Sequence, residues 1–101
     1  MVGTLRRAGF DVVAWNRDRG KCHAVAHTSG AEVAEGAAEA ASAADVAITS
    51  LADDAAVEAV YADAVEGFHA GQVVLEMSTI APETVRKVAP SLQRRGATML
   101  D

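Results

Sequence analysis

Short runs of β-branched apolar residues recur along this chain, and segments of helical period separate them. No other feature restricts the fold as strongly. The runs are Val12-Val13-Ala14-Trp15, Val46-Ala47-Ile48-Thr49 and Val73-Val74-Leu75, with weaker ones at Thr98-Met99-Leu100 and Ala31-Glu32-Val33-Ala34. The strong runs are apolar on both faces, the pattern of parallel strands covered on each side by helices. Between them, Cys22, Val25, Ala26 and Ser29 fall at i, i+3, i+4 and i+7, and Gly30 stands where a C-terminal cap is expected. Val57, Val60, Tyr61 and Ala64 repeat that spacing, with Asp53 or Asp54 as the N-cap. Val85, Val88, Ala89 and Leu92 repeat it again, with Pro82 in the first turn and Gly96 at the stop. Pro90 lies inside that last helix, where proline removes a backbone bond at a cost of about 3 kcal/mol, so a kink or break is expected near Arg86 to Pro90. Glu35 to Ala44 is Ala-rich and predicts one short helix, while Thr4 to Ala8 reads as the last turns of a helix capped by Gly9.

This alternation implies right-handed βαβ crossovers and an α/β fold, an open, doubly wound parallel sheet with helices on both faces. The chain opens in mid-helix. The first strand of such a sheet lies at its centre, so that strand is expected to be missing and the strand edges beside it unpaired.

Composition narrows the function classes. The 101 residues are 50% hydrophobic, but Ala supplies 23 of them and Val 13, which predicts a thin core of small and branched side chains. That apolar content and a formal net charge of −5 argue against disorder and against a general nucleic-acid binder, which needs a basic face. A small anionic ligand stays compatible, since backbone amides and one or two Arg hold it locally. Cys22 is the one cysteine, so an internal disulfide and a thiolate zinc site are excluded and a reducing compartment fits. No apolar run approaches the ~18 residues of a membrane span, and no hydrophobic stretch follows Arg6-Arg7 as a secretory signal requires. The expectation is one cytoplasmic domain, with neither membrane nor nucleic acid as partner.

Three segments carry a resemblance: Ala8 to Arg17 (AGFDVVAWNR) followed by Lys21, Ala44 to Asp53 (ADVAITSLAD), and Glu76 to Pro82 (EMSTIAP). In this order and spacing they resemble the N-terminal coenzyme domain of the 3-hydroxyisobutyrate and 6-phosphogluconate dehydrogenase superfamily, the β-hydroxyacid dehydrogenases. The resemblance covers almost the whole chain. It implies a Rossmann-like domain that binds NADP or NAD. It also implies a glycine-rich loop just before Met1, substrate-binding glycines after Asp101, and a catalytic lysine in a second, helical domain. No GxGxxG occurs within these residues. The chain thus reads as a partial domain, inactive alone, whose small hydroxyacid substrate belongs to an intact parent.

The candidate site residues follow. Asn16 and Arg17 end the second strand of the doubly wound order, where the adenosine ribose is met. An acid there bonds the 2′-hydroxyl of NAD, whereas Arg accepts a 2′-phosphate. Asn16, Arg17 and Lys21 therefore favour NADP over NAD. Asp18 replaces the Thr or Ser common in the family and would repel a 2′-phosphate. The resemblance puts Leu51 and Ala52 against the coenzyme near its pyrophosphate and nicotinamide ribose, with Ala52 where Pro is usual. It puts Thr79 near the nicotinamide ribose and Ser78 on the substrate side. Ser78 and Thr79 have a second reading, as N-caps ahead of Pro82.

Other residues read as structural. Asp53 and Asp54 suit helix capping better than a metal or acid–base pair. His23, His27 and His69 lack partners at metal-ligand spacing, Cys22 falls on a buried stripe, and Trp15 is core or lines the adenine pocket. An alternative of another class is a non-enzymatic remnant or interaction module, in which the unpaired edges pair with another chain and give a homo-oligomer. A phosphoacceptor receiver domain shares the architecture, but no acidic pair ends the first strand and no Lys follows the fifth.

Overall fold

The computed structural model describes residues 2–100. Five helices alternate with five strands: α1 (Val2–Arg7), β1 (Val13–Ala14), α2 (Arg19–Ser29), β2 (Glu32–Val33), α3 (Ala37–Ala43), β3 (Val46–Thr49), α4 (Asp54–Ala64), β4 (Val73–Glu76), α5 (Pro82–Arg94) and β5 (Thr98–Leu100). A 3-10 turn, Val65–Gly67, follows α4. All strand pairs are parallel. The expected α/β, Rossmann-like architecture is present. Its weak ends are shorter than the sequence suggested: β1 keeps only Val13 and Ala14, and α3 begins at Ala37 rather than Glu35.

Local chemistry sets the helix ends. Asp18 caps α2 by accepting from the Lys21 amide at 3.1 Å, and Asp53 caps α4 by accepting from the Ala56 amide at 2.8 Å. Gly30 ends α2 at φ 80°, a left-handed conformation that glycine takes without steric cost, and its N–H reaches the Ala26 carbonyl. The break expected at Pro90 is absent: α5 runs unbroken from Pro82 to Arg94. Pro90 and Arg86 both lie on the exposed side, so the carbonyl that loses its partner can turn to water. Val88 and Leu92 meanwhile anchor the opposite side in the core.

The core joins Ala37 and Ala41 of α3, Val57, Val60, Tyr61 and Ala64 of α4, Phe68, Val74 of β4, Val88 and Leu92 of α5, and Ala97. Leu92, Val57 and Val74 are fully buried, each contributing about 1.5–3 kcal/mol relative to exposure. Trp15 packs on the edge of this cluster and Cys22 is buried, as expected for core residues. Val25 is not on a covered face; it is 42% exposed.

Two features depart from a closed doubly wound sheet. The strands form two sheets, β1-β2 and β3-β4-β5, with no ladder between β1 and β3 among the described residues. In the doubly wound order these are the neighbours of the central strand, and they do not pair with each other, as expected from the sequence. The second departure concerns the three-stranded sheet, which helices cover on one face. Register places Val46, Val73 and Thr98 side by side, then Ala47, Val74 and Met99, then Ile48, Leu75 and Leu100. Alternation sends Ala47, Thr49, Val74, Glu76 and Met99 to the face packed by α3, α4 and α5. The opposite face is left open: Val46 is 50%, Ile48 37% and Leu100 52% exposed.

Candidate coenzyme site

In an open parallel sheet the crevice lies outside the carboxyl ends of the strands. The candidate residues fall at the ends of β1, β3 and β4, in two groups. No hydrogen bond joins the groups among the described residues.

The first group follows β1. Asn16 Oδ1 accepts from the Asp18 amide at 2.8 Å, closing a tight turn into α2. Arg17 and Lys21 are exposed, and neither is ion-paired among the described residues. Two cations thus stand at the mouth of β1 beside the N-terminus of α2, which itself favours an anion. The Asp18 carboxylate is already engaged as the cap of that helix. Arg19 differs from its neighbours: it pairs with Glu35 at 2.7 Å, which raises the guanidinium pKa and lowers that of Glu35 through the hydrogen bond and the attraction between charges.

The second group joins the turns after β3 and β4. The Leu51 amide donates to Ser78 Oγ at 2.6 Å, and the Ser78 amide donates to Glu76 Oε1 at 2.8 Å. Leu51 packs on the core, while Ala52 and Thr79 are exposed. Ser78 and Thr79 do not cap α5, so that reading of them is corrected. The N-cap of α5 is Ala81, which has no capping side chain of its own. Asp54 does the capping from α4: its Oδ2 accepts from the Ala81 amide at 3.0 Å and from Thr84 Oγ1 at 2.5 Å. These bonds, that of Thr84 first, hold the Asp54 carboxyl below its ordinary pKa. The first two acids of the helix are therefore structural, one for each of two helices.

One part of this region was missed by sequence reasoning. Glu76 is 4% exposed and sits beneath the second group. Its Oε2 accepts from Tyr61 Oη at 2.8 Å and from Thr49 Oγ1 at 2.5 Å. Burial, above all, pushes the Tyr61 phenol above its usual range. Strand parity held the signal: Glu76 is two residues beyond Val74 and so shares its inward face. Elsewhere, two surface hollows lie away from the strand ends, one between α4 and α5 beside Tyr61 and Lys87, the other between α1 and α2 beside Arg6 and Thr28. His23, His27 and His69 are exposed.

The family model for the NAD binding domain of 6-phosphogluconate dehydrogenase matches residues 1–101. The chain belongs to this family. It is accordingly an NAD(P)-binding domain of the hydroxyacid dehydrogenase type. This coenzyme domain is similar to the cytokine-like nuclear factor N-PAC of Xenopus tropicalis, with 30% identity over 104 positions, all of this chain and 19% of that protein. It is 42% identical over 77 residues to the NAD-dependent L-serine dehydrogenase of Pseudomonas aeruginosa, 72% of this chain and 26% of that one. The 3-hydroxyisobutyrate dehydrogenase of Mycobacterium tuberculosis superposes with a TM-score of 0.87 at 26% identity, over 97% of this chain and 33% of that one. The domain thus spans a fifth to a third of the length of these proteins. No helix among its described residues is long and apolar enough to cross a membrane.

Proposed function

We propose that this domain holds the adenosine end and the nicotinamide-ribose side of NADP, in preference to NAD, for an oxidoreductase acting on a small hydroxyacid. The observation that carries the reading is the pair of exposed cations, Arg17 after β1 and Lys21 in the first turn of α2, that have no ion-pair partner among the described residues. A guanidinium there can grip a 2′-phosphate with two hydrogen bonds. Leu51, Ala52 and Thr79 then line the coenzyme, and Ser78 faces the substrate. The bound coenzyme supplies hydride transfer; residues 1–101 supply its seat, not the acid–base group, and do not catalyse by themselves. The protein works in the cytoplasm, which the single buried cysteine, Cys22, supports.

Fluorescence titration of the natural full-length protein with NADPH and NADH tests this. NADPH is expected to bind at least about tenfold more tightly, and Arg17→Ala to remove about that factor for NADPH alone. Equal affinity for the two coenzymes, or an equal loss on both, refutes the NADP assignment.

A second reading is favoured by the gap between β1 and β3 and by the exposed Val46 and Ile48 beside it. In it the domain is an interaction module whose free edges pair with another copy of the chain. Sedimentation across a hundredfold range of concentration decides: a monomer throughout excludes homo-oligomerisation through these edges.

A further inference from the structure

We infer that Glu76 is a positioning residue, the buried anchor of a relay that sets the two turns of the candidate site against each other. The inference rests on the coenzyme reading above. The carboxylate divides its oxygens between two tasks. Oε2 faces inward and takes Thr49 Oγ1 at 2.5 Å and Tyr61 Oη at 2.8 Å. Oε1 faces the loop and takes the Ser78 amide at 2.8 Å. Ser78 Oγ in turn takes the Leu51 amide at 2.6 Å. A continuous path therefore runs from the core helix α4, through the end of β4, to the turn after β3. Thr49 and Glu76 are register partners, and the Met77 amide closes the same junction on the Thr49 carbonyl at 2.8 Å.

Burial makes this arrangement demanding. Glu76 is 4% exposed and no Lys, Arg or His pairs with it among the described residues. An acid placed there purely for stability would be a poor choice, because desolvating it costs more than an apolar side chain of the same size. What the acid supplies is geometry. It offers two acceptors held in one rigid plane, one for the core and one for a loop amide that α5 does not bond. Ser78 and Leu51 are thereby fixed relative to a fully packed helix instead of to solvent. Binding a long, flexible dinucleotide costs less when such contacts are already ordered.

The test uses the natural full-length protein and three variants. Glu76→Met keeps the length and removes both acceptors. Glu76→Gln keeps one oxygen for the Ser78 amide, and the Thr49 and Tyr61 hydroxyls can turn to accept from its NH2. Val57→Ala destabilises the core of α4 and leaves every hydrogen bond of the relay in place. NADPH Kd, melting temperature, and amide hydrogen exchange at Leu51 and Ser78 without coenzyme are the readouts. Glu76→Met is expected to weaken NADPH binding roughly tenfold and to speed exchange at both amides by a similar factor. Glu76→Gln restores most of both. Val57→Ala lowers the melting temperature with Kd within about twofold of wild type. If Glu76→Met does not fold, Glu76→Asp, one methylene too short to serve both sides, carries the same expectation. Unchanged Kd and exchange in the Glu76 variant overturn the proposal. So does a loss of affinity in Val57→Ala that matches its loss of stability, since Glu76 would then act as a core residue only. Absence of NADPH binding in wild type refutes the coenzyme reading instead, and the exchange rates still decide whether Glu76 orders the turns.

Discussion

Replacing Gly67 with Ala sets two principles against each other. Gly67 ends the 3-10 turn after α4 and is buried. Its backbone is not left-handed, so helix propensity and unfolded-state entropy both favour Ala, by up to about 1 kcal/mol. Packing says the opposite. A Cβ at this position stands 2.0 Å from the Ala38 carbonyl oxygen and 2.8 Å from its carbon, where real Cβ contacts essentially never fall under 3.0 Å. The obstacle is helix backbone, which has no rotamer to give. The turn or α3 must move by about 1 Å, and α3 carries Ala37 and Ala41 into the core. Overpacking of this kind costs about 3 kcal/mol at the upper end of its usual range. Net of the propensity gain, the variant is expected to lose about 2 kcal/mol, a fall in melting temperature on the order of 10 °C for a domain of this size. Urea unfolding of wild type, Gly67→Ala and Gly36→Ala is the assay. Gly36 is the control, since nothing lies within 4 Å of an added methyl there. A Gly67→Ala midpoint equal to or above wild type, with unchanged m-value, refutes the close approach of α3 and this turn.

Three further outcomes follow from the same geometry. Asp54 holds the start of α5 with its carboxyl pKa lowered, so its contribution is present above the ordinary carboxylate range and is lost as pH falls through the lowered folded value; in Asp54→Asn the acid limb of a stability–pH curve should flatten, and an unchanged limb counts against the cap. Tyr61 is the only tyrosine and its phenol is raised by burial, so its stabilisation is full below pH of about 10 and declines above it; phenolate absorbance should appear only as the protein unfolds, and a free titration near 10 contradicts its burial. Pro90→Ala restores a helical N–H on the exposed side of α5 and is expected to raise stability by about 1–3 kcal/mol in chemical denaturation; a loss would mean that the proline ring contributes packing of its own.

How much of this was legible in the residues differs from element to element. The stripe Val57, Val60, Tyr61, Ala64 is buried as its spacing implied, because a helical period of 3.6 leaves only one way to hide those side chains. The caps at Asp53 and Gly30 are likewise local, each set by one side chain or one φ angle. The unpaired edges of β1 and β3 were expected from the doubly wound strand order, and no ladder joins these two strands among the described residues. The candidate positions Asn16, Arg17, Lys21, Leu51, Ala52, Ser78 and Thr79 came from the family resemblance together with the strand order; in the fold all but Lys21 lie just after strands, and Lys21 lies in the first turn of α2.

What tertiary structure alone decided depends on residues far apart in the chain. That Val46 and Ile48 lie on an open face depends on where three helices pack, not on the apolar character of the run. That Asp54 caps α5 instead of its own helix needs α4 and α5 side by side, 27 residues apart along the chain. Glu76 meets Thr49 across a parallel ladder and Tyr61 across the sheet–helix interface, and neither contact leaves a periodic trace. A sequence determines, through backbone sterics and burial, which stretches become strands and helices and which side they hide. It determines the partners of a buried polar group only after register and packing bring distant segments together, because hydrogen bonds are directional and reach barely 3 Å.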